Sequence, residues 1–245
     1  MVLENKTYMF NVNHKSNSYK VSICIGSFSK PMDINSKDYM NLNFLHKYEK
    51  EYLNGIKSQK RLKSFILGRY TAKKAISNHY ENINLESIFI KNGIFRQPIL
   101  EKNINLDVSI SHCDDYAVSM AFDRQLIFGI DIEKYDENKR EILEKITDSD
   151  EVALFDDLNM NSTEKLISIW VAKEALSKCL KTGISVNLKI FKISKVKLNN
   201  SNIIGEFLNF PQYKFLTFRY IDYILAMVFP KNLDFQFDIV SWLKK

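Results

Sequence analysis

Two long helical periodicities, one in each half of the chain, most constrain how it can fold. From about Ser58 to His79, Leu62, Phe65, Ile66, Ala72, Ala75 and Ile76 recur at the spacing of one helix face. From Ser162 to Lys181 a second helix opens on an Asn-Ser-Thr-Glu cap and is closed by Gly183. Shorter helices are expected at Ser36–Leu53, Lys139–Ile146 and Ser149–Leu158. Between them lie strand-like runs: Tyr19–Ile25, Ser87–Lys91, Val108–Ser111, Phe191–Leu198, Ile203–Leu208, Tyr213–Tyr220 and Tyr223–Phe229. Tyr116–Asp123 and Leu126–Glu133 read as a hairpin joined by Asp123-Arg124-Gln125. No internal repeat and no Pro/Gly/Ser-rich linker stands out. The expectation is an α+β fold in two halves of similar size, 1–115 and 116–245.

Several chemistries are excluded by what the chain lacks. With only seven glycines it has no GxGxxG and no GxxxxGK[ST], so the usual phosphate cradles are missing, as are a GxSxG elbow and an HExxH pair. The longest apolar run, Tyr223–Phe229, is far short of the roughly 20 residues that a membrane helix needs. Glu4 and the missing apolar stretch argue against a secretory signal. Cys24, Cys113 and Cys179 are odd in number and widely spaced, which fits reduced thiols in a cytoplasm and gives no zinc site. The net charge of +6 suits nucleic acid, a phosphorylated ligand or an acidic protein partner, and equally a biased genome composition.

Four segments could carry chemistry. In Phe128-Gly-Ile-Asp-Ile-Glu133, strand alternation puts Phe128, Ile130 and Ile132 on one face and Gly129, Asp131 and Glu133 on the other. Two carboxylates roughly 6–7 Å apart along a strand invite a hard divalent cation, with Gly129 leaving space for a ligand. A strand whose acids simply face solvent is the plain alternative. In Trp170-Val-Ala-Lys-Glu-Ala-Leu-Ser-Lys178, Ile169, Ala172, Ala175, Leu176, Cys179 and Leu180 form an apolar arc, and Glu174 lies almost opposite with Trp170 and Lys178 one turn away on either side. A surface Glu174–Lys178 pair is the simple reading, but a Trp on that face suggests that something covers it. Ser109-Ile-Ser-His-Cys113 ends a strand with Ser111 and His112 where they could bond phosphate oxygens, although such a His is more often structural. Lys60-Arg-Leu-Lys-Ser-Phe-Ile-Leu-Gly-Arg69 places Arg61, Lys63 and Arg69 on one helix, suited to phosphate groups or merely solvated.

Taken in order, K-R-x3-F-x2-G-R, S-x-S-H, G-I-D-I-E and W-x2-K-E-A-x2-K resemble the 4′-phosphopantetheinyl transferase superfamily. The large single-chain type that activates surfactin and enterobactin synthetases fits best. The resemblance spans about Arg61 to Lys178. It implies a pseudo-dimeric α+β fold with coenzyme A bound in a cleft between two halves. It also implies Mg²⁺, or Mn²⁺ in its place, on Asp131, Glu133 and Glu174. By the same resemblance Lys178 reaches the phosphates, Ser111 and His112 lie near them, and Arg61 and Arg69 help hold the nucleotide. Where many members carry G-[KE]-P, this chain has Arg96-Gln97-Pro98, leaving Arg96 as a substitute for the missing lysine.

The implied reaction moves 4′-phosphopantetheine from coenzyme A to a serine of an apo acyl, peptidyl or aryl carrier protein, releasing adenosine 3′,5′-bisphosphate. Asp131, Glu174 and Lys178 would carry the catalysis. Glu174, a metal-bound hydroxide and a substrate phosphate all compete as the base. The implied enzyme is a cytoplasmic monomer that binds neither nucleic acid nor membrane. A Mg²⁺ phosphodiesterase would need further acidic ligands for a two-metal site. A non-catalytic coenzyme A or carrier-protein-binding module is the other alternative, which retention of three carboxylates and Lys178 argues against.

Overall fold

The structure, a computed structural model, describes residues 3–29, 34–101, 103–183, 187–199, 202–236, 238 and 242, with Ser36 and Lys37 described by backbone alone. Met1 and Val2, part of the N-terminal sequence discussed above, lie outside the described residues. The chain divides into two compact units, Met1–Leu126 with Asp234–Lys245, and Ile127–Leu233. The first unit therefore extends past the expected division at 115/116.

The first unit is built on an antiparallel sheet of β1 (Leu3–His14), β2 (Asn17–Phe28), β5 (Leu106–Cys113) and β6 (Tyr116–Asp123), in the order β1-β2-β6-β5. Helix α3 (Gln59–Ser77) packs across β2, β5 and β6. Gly26 marks one point of close approach, where a Cβ would lie 2.9 Å from the Thr71 side chain of α3. The expected helix over Ser36–Leu53 is broken into α1 (Ser36–Met40) and α2 (Lys47–Asn54). The cause of the second start is a capping box: His46 accepts from the Tyr48 N–H, while the Glu49 carboxylate accepts from the His46 N–H at 2.9 Å. A small hairpin, β3 (Ile90–Asn92) and β4 (Pro98–Leu100), completes the unit.

The second unit is a five-stranded antiparallel sheet. It contains β7 (Gly129–Lys134), β8 (Ile193–Asn199), β9 (Asn202–Phe207), β10 (Tyr213–Tyr220) and β11 (Tyr223–Pro230), in the order β7-β11-β10-β9-β8. The hairpin expected between the segments at 116–123 and 126–133 does not form. β6 pairs with β2 and β5, and β7 pairs with β11, so the polar turn after Asp123 passes the chain from one sheet to the other. Helix α6 (Ser162–Cys179) lies against this sheet, and α4 (Arg140–Ile146) and α5 (Ser149–Ala153) pack on α6. Asn161 caps α6, accepting from the Glu164 N–H at 2.9 Å, and Glu164 answers by accepting from the Asn161 N–H at 3.2 Å. The helix ends sooner than Gly183 suggests: Lys181 takes the left-handed conformation, φ 58°, and Thr182 N–H closes back on Ser177 O at 3.0 Å. Helix α6 is buried nearly all round, not along one arc.

The two units repeat one device. Thr71-Ala-Lys-Lys-Ala-Ile-Ser77 on α3 and Val171-Ala-Lys-Glu-Ala-Leu-Ser177 on α6 are counterparts. Lys73 Nζ reaches Glu49 Oε2 at 2.6 Å, and Glu49 Oε1 accepts from the Ile90 N–H at 3.2 Å. Lys173 Nζ reaches Glu151 Oε2 at 2.6 Å, and Glu151 Oε1 accepts from the Ile193 N–H at 2.7 Å. Each buried pair clips its long helix to the helix before it and the strand after it. Breaking one by removing a single partner costs about 3–5 kcal/mol, because a charge is left buried and unpaired.

Strand register extends the correspondence. Counted from the hairpin pairs Cys113↔Tyr116 and Tyr220↔Tyr223, Cys24 faces Ser119 as Asp131 faces Ala226. By the same count Ser22, Cys24 and Gly26 occupy the places of Gly129, Asp131 and Glu133, and Lys74 that of Glu174. The first unit therefore keeps the fold of this device without its carboxylates. The acidic chemistry belongs to the second unit.

Candidate active site

Gly129, Asp131 and Glu133 do share one face of β7, and that face is turned toward α6. A Cβ on Gly129 would stand 1.9 Å from the Ala175 carbonyl oxygen and 2.7 Å from the Cys179 nitrogen. Glycine is thus required by the approach of a helix, not by space for a ligand. This approach brings α6 side chains over the strand acids. Asp131 is 5% exposed, and its Oδ1 receives Lys178 Nζ at 2.6 Å. Lys178 therefore pairs across to the strand and not with Glu174 on its own helix.

Glu174 is only 7% exposed, and its Oε1 is buried without a hydrogen-bond partner among the described residues. Burial raises its pKa to about 7, the Asp131 charge adds to the rise and Lys178 opposes it. Trp170, expected to be covered, packs half-buried against the hydrophobic core of its own unit. Glu133 is less buried than Asp131, and its Oε1 is engaged by Lys139. Among the described residues no three His, Cys, Asp or Glu side chains gather into a group that could hold a metal ion.

A divalent cation can be tested against this arrangement. A buried carboxylate oxygen with no donor, beside a second buried carboxylate, leaves negative charge that a cation would neutralise. Asp131 and Glu174 fit that role, and Mg²⁺ commonly takes one or two carboxylates with the remaining positions filled by water or phosphate oxygen.

In the first unit Lys60, Arg61 and Arg69 of α3 line a cavity of about 460 Å³, together with Asn92, Arg96 and His112, while Lys63 is not in its wall. Arg69 is 6% exposed; its Nη2 donates to Asn92 Oδ1 at 2.8 Å, its Nε lies 3.3 Å from Glu49 Oε1, and it stacks 4.4 Å over the Phe65 ring. Arg61 is held more loosely, through one hydrogen bond of 3.0 Å to the Tyr52 hydroxyl. Arg96 adopts φ 62°, a left-handed conformation uncommon outside glycine, while Gln97 Oε1 turns back to accept from the Phe95 N–H at 2.9 Å. Arg96, not Gln97, supplies a cation to the cavity wall.

Ser111 and His112, read together from sequence, are separated by strand alternation. His112 lines the cavity with Ile110, and Ser111 is buried on the other face of β5. Sequence reasoning quoted Lys60 in a motif without giving it a role, and missed Asn92 of the cavity wall, Glu49 behind Arg69, and Lys139 beside Glu133. Lys139 stands in a polar run with nothing to distinguish it from a solvated lysine, and Arg69, the partner of Asn92 and Glu49, is 20 or more residues distant from each.

The segment holding Asp131, Glu133, Glu174 and Lys178 is also the one that known families share. Residues 127–228 match the 4′-phosphopantetheinyl transferase superfamily. The match takes in β7 and α6, lies wholly within the second unit and leaves all of the first unit outside. No curated protein matches the chain. Among solved structures it is similar to a holo-(acyl-carrier-protein) synthase from Bacillus anthracis in complex with CoA (3′,5′-ADP). The identity is 23%, the coverage is 47% of this chain and 96% of that one, and the TM-score is 0.33. The transferase-superfamily segment thus contains each carboxylate singled out in the second unit. No described helix is long and apolar enough to cross a membrane. No disulfide joins Cys24, Cys113 or Cys179 among the described residues.

Proposed function

We propose that this protein transfers the 4′-phosphopantetheine group of coenzyme A to a serine hydroxyl of an apo carrier protein. The observation that carries the reading is the convergence of Asp131, Glu174 and Lys178 within the segment that matches the superfamily. The cavity of the first unit, with Arg61, Arg69, Arg96 and His112 in its walls, suits the phosphates of the coenzyme A nucleotide.

In the reaction, the serine oxygen bonds to the β-phosphorus, the bridging P–O bond breaks, and adenosine 3′,5′-bisphosphate leaves with the electron pair. A divalent cation held by Asp131 and Glu174 would supply neutralisation of the negative charge that grows on the phosphate oxygens. Lys178, whose ammonium group donates to Asp131 at 2.6 Å, would add a second positive charge against the same phosphate oxygens. Glu174, through an oxygen that does not hold the cation, would accept the serine proton. Carrier proteins are commonly acidic, and the net charge of +6 favours their approach by electrostatic steering.

The test is transfer of a fluorescent coenzyme A analogue to an apo carrier domain. Asp131→Asn and Glu174→Gln should each lower the rate by about a hundredfold or more. Circular dichroism should show both variants folded. Either variant transferring at near the unaltered rate contradicts the site.

A further inference from the structure

The two acids of β7 are held in different ways. Asp131 lies under α6 with Lys178. Glu133, two residues on, is engaged by Lys139, which also donates to the Lys134 carbonyl at 3.4 Å. Lys139 ends a short 3-10 turn, Glu137–Lys139, that is itself fixed at several points. Asp136 Oδ1 accepts from the Asn138 N–H at 2.9 Å, and the Lys139 N–H donates to Asp136 O at 3.1 Å. Glu137 accepts from Thr163 Oγ1 of α6 at 2.6 Å and from the Tyr135 hydroxyl. The ammonium group that meets Glu133 is thus carried on a pinned turn and not on a free surface arm.

We propose that Lys139 is a positioning residue that holds Glu133 back from the cation site, so that Asp131 and Glu174 alone bind the ion. This rests on the cation reading above and departs from the three-carboxylate set that the resemblance implies. Two carboxylates on one divalent ion cancel its charge and leave its other positions open to water and ligand phosphate. A third would bind the ion more tightly but would add a negative charge facing the incoming phosphate. A lysine on Glu133 prevents that, at the expense of intrinsic metal affinity.

The experiment is Mn²⁺ titration of the full chain, with free Mn²⁺ read by electron paramagnetic resonance. Four variants are compared with the unaltered protein: Lys139→Met, Glu133→Gln, the two combined, and Asp131→Asn. Circular dichroism and thermal melting establish that each is folded. Lys139→Met should bind Mn²⁺ about tenfold more tightly, within the range of coupling between contacting charges. Glu133→Gln alone should stay within about twofold of the unaltered protein, and the combined variant should lose the gain.

Three results would overturn the proposal while leaving the cation reading intact. These are a Glu133→Gln loss of binding as large as that of Asp131→Asn, no gain in Lys139→Met, and a gain that persists in the combined variant, which would mark a general field effect. Failure of the unaltered protein to bind Mn²⁺ at all would overturn the cation reading itself, and this proposal with it.

Discussion

At the scale of single residues, the cations of the first unit divide into two kinds. Arg69 is buried and held by Asn92, Phe65 and Glu49, so its removal would disturb the fold together with any ligand. Arg61 is exposed, and among the described residues its guanidinium has Tyr52 alone as hydrogen-bond partner, which makes it the cleaner probe. Arg61→Ala should change stability by no more than about 0.5 kcal/mol. If Arg61 meets the 3′-phosphate, the preference for coenzyme A over dephospho-coenzyme A should fall about tenfold or more, the worth of one charge-assisted hydrogen bond. Isothermal titration with both ligands measures this, and equal loss toward the two would place Arg61 elsewhere. The identities of Asp131, Glu174, Lys178, Arg61, Arg69 and His112 were legible in the sequence because motif order singles them out. Their partners were not. That Lys178 meets Asp131 and not Glu174 depends on how closely α6 crosses β7, and no spacing within the helix encodes that distance.

At the scale of elements, that crossing is set by a hydrogen atom. Gly129 has no Cβ, and the Ala175 carbonyl occupies the place where one would stand. Its counterpart in the first unit makes the same point: Ser22 has a side chain there, and its Oγ donates to the Ala75 carbonyl at 2.6 Å. Gly129→Ala should therefore force α6 away from β7 and cost about 3 kcal/mol or more, as overpacking of backbone against backbone does. Urea unfolding followed by circular dichroism measures it; a loss under about 1 kcal/mol would mean that helix and strand are not so closely apposed.

The helices and most strands were legible from periodicity, α3, α6, β10 and β11 nearly to their ends. β1 was missed because only Phe10 and Val12 are buried along its edge-strand length, leaving a sequence of mostly polar residues. The break between α1 and α2 was missed because a His with a Glu three residues on makes a capping box only once the backbone has turned.

At the scale of the molecule, the repetition of one helix-and-strand device was invisible in the sequence. Between α3 and α6 little survives beyond Ala-Lys-x-Ala-x-Ser, and the strand residues at matching positions are chemically unlike: Ser22, Cys24 and Gly26 against Gly129, Asp131 and Glu133. What persists is the buried clip, Glu49 with Lys73 and Glu151 with Lys173, together with the strand register. The divergence places basic residues and a cavity in the first unit and the carboxylates in the second. The proposed cation site has no counterpart at the matching positions of the first unit, because Lys74 and Cys24 cannot replace Glu174 and Asp131 as ligands for a hard cation. The central claim is tested most directly by intact-mass spectrometry of an apo carrier protein incubated with this protein, coenzyme A and Mg²⁺. The account predicts that the carrier gains one 4′-phosphopantetheine on its serine, with release of one adenosine 3′,5′-bisphosphate for each carrier modified. Coenzyme A consumed without carrier modification, or a panel of apo carrier domains all left unchanged by folded protein, would contradict it.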